Sequence, residues 1–92
     1  MTLEEAISDV ITNNFSAGDL FDSHAVINEL ITVDKYHIVY LKGCPENCSV
    51  SQYHGLIARK IGASGCVASS GKKIKSHTIY GSLSDNELWE RL

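Results

Sequence analysis

The hydrophobic period of this 92-residue chain changes after Gly62. Before it, apolar residues recur at helical spacing in three segments; after it, short extended runs are separated by Gly- and Ser-rich breaks. Helices followed by strands, in a chain of this length, predict one small α+β domain spanning residues 1–92.

The helical segments carry their own boundaries. Thr2-Leu3-Glu4-Glu5 is a capping box, and Leu3, Ile7, Val10 and Ile11 continue it as an apolar stripe that fades near Asn13-Asn14. Phe15 to Asp19 reads as a loop or short extended link punctuated by Gly18. Asp22 or Ser23 caps a second helix, with Phe21 and Val26 spaced as a hydrophobic staple and Val26, Ile27, Leu30 and Ile31 as the buried face. A third helix is expected from about Ser49 to Ile61, stopped by Gly62. At about 100° per residue, Val50, Ile57 and Ile61 gather on one side with Tyr53 and His54 on its shoulders. Gln52, Gly55 and Arg59 then point outward, flanked by Ser51 and Leu56, and Lys60 lies on the flank near Tyr53.

Two segments admit two readings. In residues 34–42 the β-branched and aromatic residues favour a strand, while Asp34 as a cap and Tyr36, Tyr40 at i, i+4 permit a short helix; the balance favours the strand. Gly43 to Asn47 is a turn around Pro45. Past Gly62, Cys66-Val67-Ala68 reads as a short strand, Ser69 to Lys73 as a turn, Ile74 to Tyr80 as a second strand and Gly81 to Ser84 as a further break. Residues 85–92 fit either a strand or, through Ser84-Asp85-Asn86-Glu87 as a capping box, a short helix.

Charge is unevenly placed in this acidic chain of formal charge −3. Residues 1–46 hold eight carboxylates against Lys35 and Lys42, whereas between Glu46 and Asp85 the chain has no acidic residue and carries Arg59, Lys60, Lys72, Lys73 and Lys75. Attraction to phosphate depends on local potential, so a basic stretch on an acidic body points to nucleic acid. No apolar run approaches 18 residues and no charged start precedes an apolar stretch, which predicts no membrane span, no secretory signal and a cytoplasmic location. The sequons at Asn14 and Asn47 are then coincidental.

Three cysteines, an odd number, argue against a disulfide framework. Cys44, Cys48, His54 and Cys66 supply soft metal ligands, but only Cys44-x-x-x-Cys48 is tightly spaced, where zinc sites usually show two tight pairs, so no cofactor or metal is expected. Enzyme motifs fail on spacing. Five residues separate Gly65 from Gly71 and Lys73 follows Lys72, which breaks the phosphate-loop pattern. Gly62-Ala63-Ser64-Gly65 lacks a residue of the nucleophile elbow.

Helix, helix, an extra element, helix and then a basic hairpin is an order that resembles the winged helix-turn-helix domain, over nearly the whole chain. In that family the second and third helices are joined by a short turn; here Val33 to Cys48 intervene. The resemblance implies a non-enzymatic DNA-binding regulator, of transcriptional or mobile-element type, that works as a homodimer on a two-fold site. It places Ser49, Ser51, Gln52, Gly55, Arg59 and Lys60 on or beside a recognition helix and Lys72, Lys73, Lys75 and His77 in or beside the wing. Gln and Arg suit adenine and guanine edges, and Ser hydroxyls, a helix N-terminus and hairpin lysines suit phosphate. The alternative is a protein-interaction module or inhibitor docking on a basic partner through Glu4, Glu5, Asp9, Asp19 and Asp22. Exposure of Trp89 together with Tyr80 would favour such a partner surface.

Overall fold

A computed structural model describes residues 1–77 and 83–92. Among these, four helices, α1 (Leu3–Asn14), α2 (Ser23–Thr32), α3 (Asp34–Lys42) and α4 (Val50–Ala63), pack with three strands, β1 (Leu20–Asp22), β2 (Val67–His77) and β3 (Leu83–Arg91). The strands form one antiparallel sheet in the order β1-β3-β2.

Helix α1 starts as its capping box dictates: the Glu5 amide donates to Thr2 Oγ1 (3.1 Å) and the Thr2 amide to Glu5 Oε1 (3.0 Å). Its stripe, Leu3, Ile7, Val10 and Ile11 with Ala6, is buried. The chain then turns back, stacks Phe15 on Phe21 with centroids 4.1 Å apart, and adds β1 to β3 at Phe21↔Trp89. At α2 it is Asp22 that caps, accepting from the Ala25 amide at 2.8 Å, and Phe21 and Val26 on either side of the cap are both buried.

Residues 34–42 form a helix, not the strand that β-propensity favours. A strand would place Tyr36, Ile38 and Tyr40 on one face. The core accepts only the two tyrosines. Tyr36 is buried and donates to Asp9 Oδ2 (3.2 Å), Tyr40 packs on Tyr53 at 5.1 Å, and Ile38 is left 59% exposed. Helical i, i+4 spacing satisfies both tyrosines. Asp34 is not the cap residue; it occupies the first turn, with Lys42 in the last, in keeping with the helix dipole.

Helix α4 runs through Gly62 to Ala63. Gly62 does not stop the helix but admits the Trp89 ring, since a Cβ there would lie 3.0 Å from Trp89 Cη2. The left-handed residue that follows the helix is Gly65 (φ 78°). Tyr53, Ile57 and Ile61 form its buried face, whereas Val50, expected among them, is 39% exposed.

Residues 69–73 are not a turn. They lie within β2, whose pairing runs from Ser69↔Trp89 to Lys73↔Glu87 with a register shift between, and Gly71 (φ 77°) takes up the excess chain. Leu83 and Ser84, expected in a break, belong to β3, and the ambiguous residues 85–92 continue that strand to Arg91. Trp89 sits inward on this central strand and donates from Nε1 to the buried Ser23 Oγ at 2.9 Å, so it presents no partner surface. Tyr80, and the expected strand and break where they cover 78–82, lie outside the described residues.

Candidate nucleic-acid interface

The residues expected to read DNA start from the α4 N-terminus. Ser49 Oγ accepts from the Gln52 amide (3.1 Å) and Gln52 Oε1 from the Ser49 amide (2.9 Å), a second capping box. Both side chains are therefore engaged in starting the helix. The Gln52 carboxamide keeps its N–H donors for an outside acceptor. Further along, Ser51, Gly55 and Arg59 are exposed on the outer face, and a Cβ at Gly55 would meet nothing within 4 Å. Lys60 is drawn away from that face: its Nζ lies 2.5 Å from Glu4 Oε1 on α1.

That outer face borders a groove of about 480 Å³ whose other walls are the start of α2 and the β2–β3 hairpin. Ser51, His54 and Gly55 face His24, Lys73, Asp85 and Glu87 across it. The hairpin is held to α2 through polar contacts: His24 Nδ1 lies 2.5 Å from Ser76 Oγ, and Asn86 Nδ2 donates to Ser76 Oγ (2.9 Å) and to the Ile74 carbonyl (3.1 Å). Burial, and secondarily the charge of His24, holds the His54 imidazole below its ordinary pKa. Its Nε2 lies 2.7 Å from Tyr40 Oη, which ties the groove wall to α3. Behind it, burial is the first cause that pushes the Tyr53 phenol up to about 12, and this hydroxyl donates to the Tyr40 carbonyl at 2.5 Å.

The hairpin changes how the basic stretch must be counted. Lys72, Lys73 and Lys75 are all exposed on β2, but Lys73 pairs across the ladder with Glu87 and Lys75 with Asp85. Glu87 also accepts a hydrogen bond from Ser69 Oγ. Cross-strand pairs of opposite charge stabilise a sheet by about 0.2–1 kcal/mol each, and they lower the local positive potential. None of Arg59, Lys72, Lys73 and Lys75 forms a salt bridge to a described residue, and the ladder sets a carboxylate opposite only Lys73 and Lys75. His77 is placed by its backbone alone, opposite Leu83. Groove residues His24, Asp85, Asn86 and Glu87 were not expected. The alternation Lys73-x-Lys75 against Asp85-x-Glu87 is the signal that points to the last strand, because antiparallel pairing brings those positions together.

The five N-terminal carboxylates all have intramolecular partners. Glu4 pairs with Lys60, Glu5 with the Thr2 amide, Asp9 with Tyr36 Oη, Asp19 Oδ2 with the Ser16 amide (2.8 Å) and Asp22 with the Ala25 amide. Among the described residues no group of three or more His, Cys, Asp or Glu side chains is placed to hold a metal ion, Cys44, Cys48, His54 and Cys66 included. No helix among them is long and apolar enough to cross a membrane. Comparison with known proteins adds no relative to this description: no family model, no curated protein and no solved structure matches the chain.

Proposed function

We propose that this chain is a non-enzymatic DNA-binding regulator of the winged-helix kind, with α4 as the helix that enters a groove of the duplex and the β2–β3 hairpin as the wing. The reading is carried by one juxtaposition: Ser51 and Gly55 of α4 and Lys73 of the hairpin border the same groove, whereas Gln52, Arg59, Lys72 and Lys75 are not among its lining residues. The hairpin follows α4 directly in the chain and β3 joins it to β1 in one sheet, which supports the reading, although α3 stands between α2 and α4 where that family has a short turn. Open space at Gly55 supports it too, because a mid-helix glycine costs about 1 kcal/mol against alanine and leaves room for a close backbone. Docking on a basic protein through the acidic half has less to draw on, since those five carboxylates already serve the fold.

Four cations, Arg59, Lys72, Lys73 and Lys75, are available per chain. With about 0.9 counterions released per phosphate contact, the slope of log affinity against log salt is expected near −3.6 per chain bound. The test is fluorescence anisotropy with random duplex DNA at low and moderate salt, repeated for Lys72→Glu with Lys73→Glu. Binding that weakens and a slope that flattens by about 2 support the wing. Unchanged isotherms remove the wing from the mechanism, and no binding by the parent chain at low salt refutes the proposal. Arg59→Ala should relax sequence preference more than it lowers general affinity.

A further inference from the structure

We infer that the chain self-associates as a two-fold dimer through the outer face of α3. With Tyr36 and Tyr40 turned to the core, the opposite side of this helix presents Ile38 and Leu41, each 59% exposed, beside Met1 at 64%. At about 100° per residue, Leu41, Asp34, Ile38 and Lys42 fall within an arc of roughly 100°. Scattered exposed apolar residues need no explanation. Here Ile38 and Met1 line one shallow depression of about 400 Å³ together with Leu3, Val39, Lys42 and Gly43, and Leu41 extends the apolar surface along α3.

Charge placement identifies the occupant as a second copy. Asp34 stands four residues before Ile38 and Lys42 four after it. A two-fold axis at Ile38 in an antiparallel helix pair sets each residue against the one equally far on the other side. Lys42 then meets Asp34 of the partner subunit, and the same pair forms twice. The row 34, 38, 42 is the i±4 ridge used in the commonest class of helix crossing, which brings those ends together. Neither Asp34 nor Lys42 has a salt bridge to a described residue of its own chain.

One short helix buries an area at the low end for specific interfaces, so association in the range of tens of micromolar is expected. Sedimentation equilibrium from about 1 to 500 μM, without DNA, reads it, so the result is independent of the DNA-binding proposal. The mass should rise with concentration from 10.1 kDa toward twice that value. Ile38→Glu should hold it at 10.1 kDa throughout. Asp34→Lys alone or Lys42→Asp alone should weaken the dimer at least about tenfold, and both together should restore it to within about threefold of the parent. Far-UV circular dichroism checks the fold of each variant, and Leu41→Glu replaces Ile38→Glu if the latter unfolds. A parent chain that stays monomeric overturns the inference, as does a dimer indifferent to both apolar substitutions. A charge-reversed double variant no tighter than the single ones overturns the two-fold register.

Discussion

Replacing Ser23 with alanine tests how far the buried hydrogen bond from Trp89 fastens the hairpin to the helices. Ser23 Oγ accepts from Trp89 Nε1 at 2.9 Å, with Ser23 2% and Trp89 9% exposed, so the bond is buried. An indole N–H left buried without an acceptor costs about 1–3 kcal/mol. Unfolding entropy near 2.1 cal/mol/K per residue gives about 0.19 kcal/mol/K for 92 residues, so the melting temperature should fall by about 5–15 °C. The helix propensity of alanine at this first-turn position offsets only a few tenths of a kcal/mol. Thermal denaturation followed by circular dichroism and by Trp89 fluorescence measures the loss, and the two probes should coincide if the hairpin and helices melt together. In a Trp89→Phe background the donor is gone, and Ser23→Ala should then cost less by the coupling energy of the bond. A fall below about 2 °C, or an equal cost in both backgrounds, would show that the hydrogen bond does not hold the sheet to α2.

The two glycines of α4 should behave oppositely under the same change. Gly55→Ala enters open space and should stabilise by about 1 kcal/mol in urea denaturation, whereas Gly62→Ala meets Trp89 Cη2 at 3.0 Å and should recover less than half of that. His54 is held below its ordinary value of 6.5, so the unfolded chain takes up the proton first as pH falls. Stability should therefore decline as pH drops through about 6.5 and level off below the folded-state pKa, and His54→Gln should shrink that decline when melting temperatures at pH 7.5 and 5 are compared. The Lys60 to Glu4 pair, with side chains 29% and 59% exposed, should contribute little to stability, because solvent screens it. Lys60→Ala should accordingly lower the urea midpoint slightly, and it should leave the salt slope of DNA binding unchanged, because this ammonium faces α1.

The sequence was readable wherever a local rule and the core agreed. The boxes and caps at Thr2 and Asp22 and the apolar stripes behind them specify α1 and α2 without knowledge of the rest of the chain. Residues 34–42 show local preference losing to tertiary contact: their composition suits a strand, but only the i, i+4 arrangement puts Tyr36 near Asp9 and Tyr40 near Tyr53 together. Gly71 shows another limit, because Ser-Ser-Gly makes either a turn or a bulge, and pairing with residues more than ten positions away decides which. A three-residue strand such as β1 has no period to detect; it exists because Trp89 offers Phe21 a place in the ladder. At the candidate site, the outward residues of α4 were legible from helical geometry, whereas the carboxylates facing Lys73 and Lys75 required the register.

Register, rather than sequence proximity, sets the electrostatics that any ligand of this chain meets. Five cations lie in one stretch free of acidic residues, yet folding removes Lys60 to α1 and sets Lys73 and Lys75 opposite Glu87 and Asp85. For phosphate to engage those two lysines it must approach the carboxylates set opposite them in the ladder, with which neither lysine forms a salt bridge, a modest cost against several new phosphate contacts. Arg59 and Lys72 carry no such competitor among the described residues, and so they should dominate the first encounter with DNA. On the DNA-binding proposal, so few unopposed charges per chain would call for two chains on one duplex, which is the arrangement that self-pairing through α3 would supply. If the α3 dimer holds two copies of α4 at a fixed separation, binding should be tightest where half-site spacing matches it, and Ile38→Glu should lower affinity for such a site without changing affinity for a half-site.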